Sequence, residues 1–238
     1  MHTSTRAPIS AALIALSSLA AAQTAVPRTD DDATPVVVVT KIPLPWYVPR
    51  VVVARKFRDA IPEYEAVPGL AYKYFTIADD AKFGGIYLWS SRAQAKAWFN
   101  EAWHARVLAQ RGAAAQVTMF DAPLVLDNGT PVGTDGDAVA AIVRIRIPTG
   151  VSRDTLIAEF NKSAPFYRSV SGLARKYFLI TDDGQFGGVY LWKSRDAGQA
   201  FFDAAWRDRV LKTYGSPAQL DWFDAPVILP SKLPAAVP

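Results

Sequence analysis

Two lysines and two arginines stand where their neighbours are apolar. Lys73 lies in the run LAYKYFTI (residues 70–77) and Lys176 in LARKYFLI (residues 173–180). An amine among apolar side chains loses hydration, which disfavours its charged form and makes it a candidate base or electrostatic anchor. The alternative is an ion pair at a strand end. Arg106 falls on one helical stripe with Ala95, Phe99, Ala102, Trp103, Val107 and Gln110. Arg209 does the same beside Phe202, Ala205, Trp206 and Val210. A guanidinium on such a stripe is costly unless paired or facing a cavity. Each arginine therefore anchors an anion or carbonyl in a pocket, or pairs with a carboxylate such as Asp121 or Asp224. Around these cations lie Tyr74, Tyr87, Trp89 and Trp103, and again Tyr177, Tyr190, Trp192 and Trp206. Such side chains build cores, and they also suit a flat aromatic ligand, each offering an apolar face and a polar handle. Trp46 and Tyr47 follow the first apolar run in one place only and are assigned to a pocket mouth.

Other chemistries find no support in the residues. The chain contains no cysteine, which excludes disulfides and thiolate ligation. His104 lies about 120° from the centre of the apolar stripe, and no second ligand is assembled beside it. No metal and no cofactor are therefore expected, and specific haem binding is not. No Gly-rich phosphate loop and no G-x-S-x-G elbow is present. The net charge of +4 is mild and contains no basic run, so nucleic acid is not an expected partner.

The elements that would position these residues are written twice. FGGIYLWSSR (residues 83–92) returns as FGGVYLWKSR (residues 186–195), and Phe120-Asp121-Ala122-Pro123 returns as Phe223-Asp224-Ala225-Pro226, at a constant offset of 103 residues. Copy one is assigned to residues 36–127 and copy two to 138–230, with a turn-rich linker at 128–137 and a tail at 231–238. Residues 1–22 read as a secretory signal peptide: a basic start at Arg6 and an apolar run from Ile9 to Ala20, shorter than the roughly 20 residues that span a bilayer. Periplasmic or secreted location follows, with no stable membrane anchor after cleavage. Residues 23–35 read as a flexible spacer.

Within copy one the pattern predicts a strand at 36–44, a helix at 51–64, strands at 70–77 and 86–89 joined as a hairpin, one long helix from a Ser91 cap to Gly112, and a strand at 117–120. The order βαββαβ is a ferredoxin-like unit. The strand at 70–77 is apolar on both faces, so helices on one side leave the other needing a cover. The second copy supplies it, with the two sheets packing face to face. The fold class expected is α+β: two tandem ferredoxin-like units forming an intramolecular dimeric α/β barrel, in a monomer with a pseudo-twofold axis.

Pro68-Gly69-Leu70, Lys73, Gly84-Gly85-Ile86-Tyr87-Leu88 and Phe120-Asp121 resemble the YdhR-like family of the dimeric α/β-barrel superfamily, and the second copy matches with Gly172-Leu173, Lys176, Gly187-Gly188-Val189-Tyr190-Leu191 and Phe223-Asp224. The resemblance implies a barrel made by two units and a monooxygenase-type activity, since relatives oxidise aromatic polyketides with O₂ and no cofactor. The expected function is an exported, cofactor-independent monooxygenase acting on a small aromatic or quinone-like compound. Lys73, Lys176, Arg106 and Arg209 would supply charge, and the aromatic set would shape the pocket. The alternative is a non-catalytic binder of small apolar ligands with the same pocket.

Overall fold

The computed structural model describes residues 34–129 and 137–229. Residues 1–22, most of the spacer, most of the linker and the tail lie outside the described residues. Unit 1 contains β1 (Val36–Pro43), α1 (Arg50–Asp59), α2 (Ile61–Glu65), β2 (Leu70–Ala78), β3 (Lys82–Trp89), α3 (Arg92–Trp98), α4 (Glu101–Arg111) and β4 (Gln116–Asp127). Unit 2 contains β5 (Val139–Arg146), α5 (Arg153–Arg168), β6 (Leu173–Ile180), β7 (Gln185–Trp192), α6 (Arg195–Phe201), α7 (Ala204–Tyr214) and β8 (Gln219–Ile228). The β-branched run VVVV of β1 and the apolar run VAAIV of β5 form inner strands, each paired on both sides.

All eight strands close into one antiparallel barrel in the order β1-β3-β2-β8-β5-β7-β6-β4. The units are thus joined edge to edge as well as across the interior, as the expected intramolecular barrel requires. The join is made by a strand longer than the four residues expected. The first half of β4 pairs with β1 through Asp121, and its second half, from Leu124 to Asp127, pairs with β6 of the other unit. β8 repeats the device, pairing first with β5 and then with β2. The Phe-Asp-Ala-Pro motif marks each crossing, where a register shift tolerates a proline without an N–H. Closure removes the exposed strand edges that open sheets must protect.

The barrel interior is filled by Tyr72, Tyr74, Ile86, Leu88, Phe120, Tyr177, Leu191 and Phe223, among others. Helices cover the outside, where Leu70, Tyr87 and Trp89 pack under α3 and α4. A register shift between Leu70 and Tyr72 puts Leu70 on the helix side and Tyr72 inside, so the simple alternation read from the sequence breaks there.

Two helices differ from expectation. The single helix expected at 51–64 is split into α1 and α2 at Ala60, whereas α5 of unit 2 runs unbroken through Pro165, the equivalent of Pro62. The long helix after Ser91 is also two helices. α3 ends at Phe99, and Asn100 caps α4 by accepting from the Trp103 N–H at 2.9 Å. The break resets the helical phase, so the continuous wheel drawn from Ala95 to Gln110 does not hold. Gly84 lies inside β3, where a Cβ would come within 2.1 Å of the Thr40 carbonyl oxygen. The Gly-Gly pair is there for close backbone approach.

Candidate functional site

Each unit has a pocket on the outer face of its sheet, under its helices. Both are built from equivalent positions. Lys73, Tyr87, Trp103 and Arg106 line the unit 1 pocket, and Lys176, Tyr190, Trp206 and Arg209 line the unit 2 pocket. The strand pairing explains the convergence. Lys73 and Tyr87 are neighbours across the β2–β3 ladder, as Lys176 and Tyr190 are across β6–β7. One of each pair is supplied by the lysine strand and the other by the Gly-Gly strand, so the repeat carries the pocket with it.

The rest of the aromatic set is elsewhere. Tyr74 and Tyr177 point into the barrel, stacked at 6.0 Å between ring centroids and sharing a hydrogen bond through their hydroxyls. Burial raises the Tyr74 pKa to about 12. They form a core pair between the units and line neither pocket, because they face the opposite side of the strand from the lysines. Trp89 and Trp192 are fully buried beneath the helices and also line neither pocket. Trp89 packs on Trp98 and Phe99. Strand face explains Tyr74 and Tyr177, which point into the barrel, whereas Trp89 and Trp192 share the outer face of Tyr87 and Tyr190 and are covered by the α3 and α6 side.

The lysines are buried. Lys73 is 2% exposed, and its Nζ lies 2.9 Å from the ring centroid of Tyr64, 3.8 Å from Phe75 and 4.7 Å from Tyr87. Desolvation pushes its pKa well below the usual lysine value, with Glu63 pulling weakly the other way. Lys176 is held likewise by Tyr167, Phe178 and Tyr190 and is shifted down by the same desolvation. One contact separates them. Lys176 Nζ donates to the Tyr190 hydroxyl at 2.8 Å. Lys73 has no hydrogen-bonded acceptor among the described residues, and its amine faces the unit 1 cavity. Beside it the Tyr87 hydroxyl shares hydrogen bonds with Thr40 and Tyr64, and burial holds its pKa well above the usual phenol range.

The arginines are not buried in a stripe. Arg106 is exposed on the flank of α4 at the cavity mouth, and Arg209 is half-buried in the equivalent place. Neither pairs with Asp121 or Asp224. Asp121 takes Arg92 and, at 2.8 Å, Arg153 from the other unit. Asp224 takes Arg195 at 2.9 Å and Arg50 from the other unit. The repeated Phe-Asp motif is therefore an inter-unit clasp, related by the pseudo-twofold axis. His104 stands half-buried, edge-on to Trp103 at 5.1 Å between ring centroids. Among the described residues no group of three or more His, Asp or Glu gathers where a metal could be held.

The two pockets differ greatly in size: about 440 Å³ in unit 1 and about 60 Å³ in unit 2. Replacements at equivalent positions contribute to it, together with the wall that residues 43–48 add in unit 1 alone. Phe166 and Tyr214 fill the unit 2 pocket where unit 1 has Glu63 and Arg111. Tyr214 packs edge-on against Phe186 at 5.1 Å, and Phe166 lies 5.2 Å from Tyr167. In unit 1, Arg111 lies over Phe83 at 5.5 Å, and it and Arg106 act on the Tyr64 hydroxyl, lowering a pKa that burial raises. Sequence reading missed Glu63, Tyr64 and Arg111. Tyr64 was visible as a match to Tyr167 in the repeat; Glu63 and Arg111 were visible only as mismatches.

No known sequence-family model matches this chain, and no curated protein does. Several solved structures share its fold. A protein provisionally assigned as a monooxygenase from Fusobacterium nucleatum superposes with a TM-score of 0.62 at 13% identity, over 84% of this chain and 95% of that one. An anthrone oxidase-like protein does so with 0.54 at 13% identity, over 87% and 98%. A provisionally assigned monooxygenase from Lactobacillus acidophilus gives 0.55 at 11% identity, over 82% and 96%. At these identities the likeness shows the fold alone, an eight-stranded antiparallel barrel with helices outside, closed here within one chain.

Proposed function

We propose that the unit 1 cavity is the working site of a cofactor-independent oxygenase, and that its substrate is a small aromatic compound with an acidic C–H or O–H, of the hydroxy-aromatic or anthrone type. The observation that carries the reading is Lys73: a buried amine, with no hydrogen-bonded acceptor among the described residues, on the wall of a cavity of about 440 Å³ lined by aromatic rings. Desolvation favours its neutral form, which is the form that takes a proton. The fold likeness to proteins named for monooxygenase and anthrone oxidase chemistry supports the same class.

The chemistry balances without a further co-reactant than O₂. Lys73 takes a proton from the activated ring CH₂, leaving a delocalised carbanion. Arg106 and Arg111 at the mouth stabilise its negative charge. One electron passes to O₂, and the radical pair joins in a C–O bond to give a peroxide. Lys73 returns its proton to the distal oxygen and, neutral again, takes the remaining C–H proton as the O–O bond breaks, and that proton joins the departing hydroxide as water. The CH₂ becomes C=O, with one oxygen atom in the quinone and one in water. Tyr64, Phe75 and Tyr87 around the amine exclude bulk water and keep it uncharged until substrate arrives. The chain is proposed to act as a monomer, outside the cytoplasm, after removal of residues 1–22.

Oxygen uptake and quinone absorbance across a panel of hydroxy-aromatics test this. Lys73→Met is expected to lower turnover by about 10²–10⁴, the range a positioned base supplies. Lys176→Met, in the filled pocket, is expected to leave it within a factor of about two. Full turnover in Lys73→Met refutes the assignment. Ligand binding with no oxygen uptake by the unaltered protein leaves the cavity as a binding site alone.

A further inference from the structure

Around the unit 1 cavity mouth the surface is apolar where it has no structural need to be. Trp46 is 95% exposed, Val51 is 72% exposed, and Tyr47 and Val52 are exposed beside them. Tyr47 and Val52 also line the cavity, so the patch and the cavity wall are continuous. The other unit provides an internal control. At the equivalent positions it carries Thr149, Gly150, Asp154 and Thr155, and the same fold forms. The apolar surface is therefore not required by the barrel.

Charge supplies the second half. α1, which carries Val51 and Val52, has four basic residues against one acidic. Arg50 is engaged with Asp224 and Lys56 with Asp59, leaving Arg55 and Arg58 exposed on the outward side of the helix. The corresponding positions in α5 are Ala158 and Asn161. An exposed tryptophan and tyrosine with aliphatic neighbours and flanking arginines is the composition that settles at the boundary between lipid headgroups and acyl chains.

We propose that the Trp46–Val52 mouth of unit 1 docks reversibly on an anionic lipid bilayer, and that the cavity takes a lipophilic ligand directly from it. The source of the ligand rests on the reading of the unit 1 cavity as the working site; the docking itself does not. The bound orientation places the cavity opening against the lipid, so a ligand passes from acyl chains to the aromatic lining without crossing water.

The test is flotation with vesicles of phosphatidylcholine alone and of phosphatidylcholine mixed with phosphatidylglycerol. It is run on the full chain and on a chain beginning at Gln23, because the apolar run from Ile9 to Ala20 binds lipid by itself. The first variant exchanges the mouth for its sister residues: Trp46→Thr, Tyr47→Gly, Val51→Asp and Val52→Thr together. The second, Arg55→Glu with Arg58→Glu, leaves the apolar patch intact. Thermal melts verify that both remain folded. The unaltered chain is expected to bind the mixed vesicles, and each variant to lose at least about tenfold in partitioning. Equal partitioning of the mouth exchange, or no binding by the unaltered chain, overturns the proposal. So does a dimer of the unaltered chain that the exchange dissolves, which would assign the patch to a second copy. Calorimetry with a water-soluble hydroxy-aromatic, without vesicles, separates the two readings. Ligand binding without vesicle binding sinks the docking alone, and vesicle binding without ligand binding sinks the cavity reading alone.

Discussion

Replacing Lys73 with methionine is expected to change the pH dependence of folding in a way that reports the charge of the amine. Above the ordinary lysine pKa of 10.5, folded and unfolded chains both hold the neutral amine, and the residue contributes nothing to the pH dependence. As the pH falls below that value, the unfolded chain takes up a proton that the folded chain refuses, since burial lowers the folded pKa well below it. Stability then falls by about 1.4 kcal/mol for each pH unit until the pH reaches the folded pKa. Methionine, of similar length and apolar, abolishes this loss. The advantage of Lys73→Met over the unaltered chain should therefore be greater at pH 7.5 than at pH 9.5, by up to about 2.7 kcal/mol. Urea denaturation at both pH values measures it, and the other titrating groups cancel in the difference. An advantage that does not change with pH would mean that the folded chain keeps an ammonium, held by the faces of Tyr64, Phe75 and Tyr87. Proton abstraction by Lys73 would then be refuted, whatever the turnover of the variant.

Two further outcomes follow from the asymmetry and from the clasp. Glu63→Phe with Arg111→Tyr transplants the residues that fill unit 2, and is expected to close the unit 1 cavity and weaken ligand binding more than tenfold, about 1.4 kcal/mol by calorimetry, while the melting temperature holds. Asp121→Asn leaves Arg92 and Arg153 facing a neutral amide in a site that is 1% exposed at the aspartate, and should cost about 3–5 kcal/mol in urea unfolding.

The repeat made the architecture legible before any coordinates. A gap-free second copy and a strand with two apolar faces leave one economical solution, in which each sheet hides a face against the other. The lysines were legible too, because a charged residue in the middle of a covered strand has nowhere to go but a pocket or a partner. Tyr87, Tyr190, Trp103 and Trp206 line the same two pockets as the lysines, being fixed across the same ladders or on the helix above. Tyr74 and Tyr177 were misread because period-two alternation gives two faces without saying which one meets helices and which meets the barrel interior. Arg106 and Arg209 were misread because the helical wheel assumes one helix, and the break at Phe99–Asn100 cannot be seen from composition. The seam strands were cut short because half of each pairs with the other unit, a contact no local pattern contains.

What the sequence determined by itself was the duplication, the ferredoxin-like order of elements, and the presence of amines and aromatic rings in each copy. These rest on local spacing and on identity between copies, which act within one strand or one helix. What only the tertiary structure decided was which side of each strand is inside the barrel, which carboxylates clasp which arginines, and that one pocket is open while the other is filled. Those depend on the joining of distant edges and on the volume left between them. Glu63 against Phe166, or Arg111 against Tyr214, differ by a side chain on paper. They become about 440 Å³ against about 60 Å³ only when two helices and a sheet surround them.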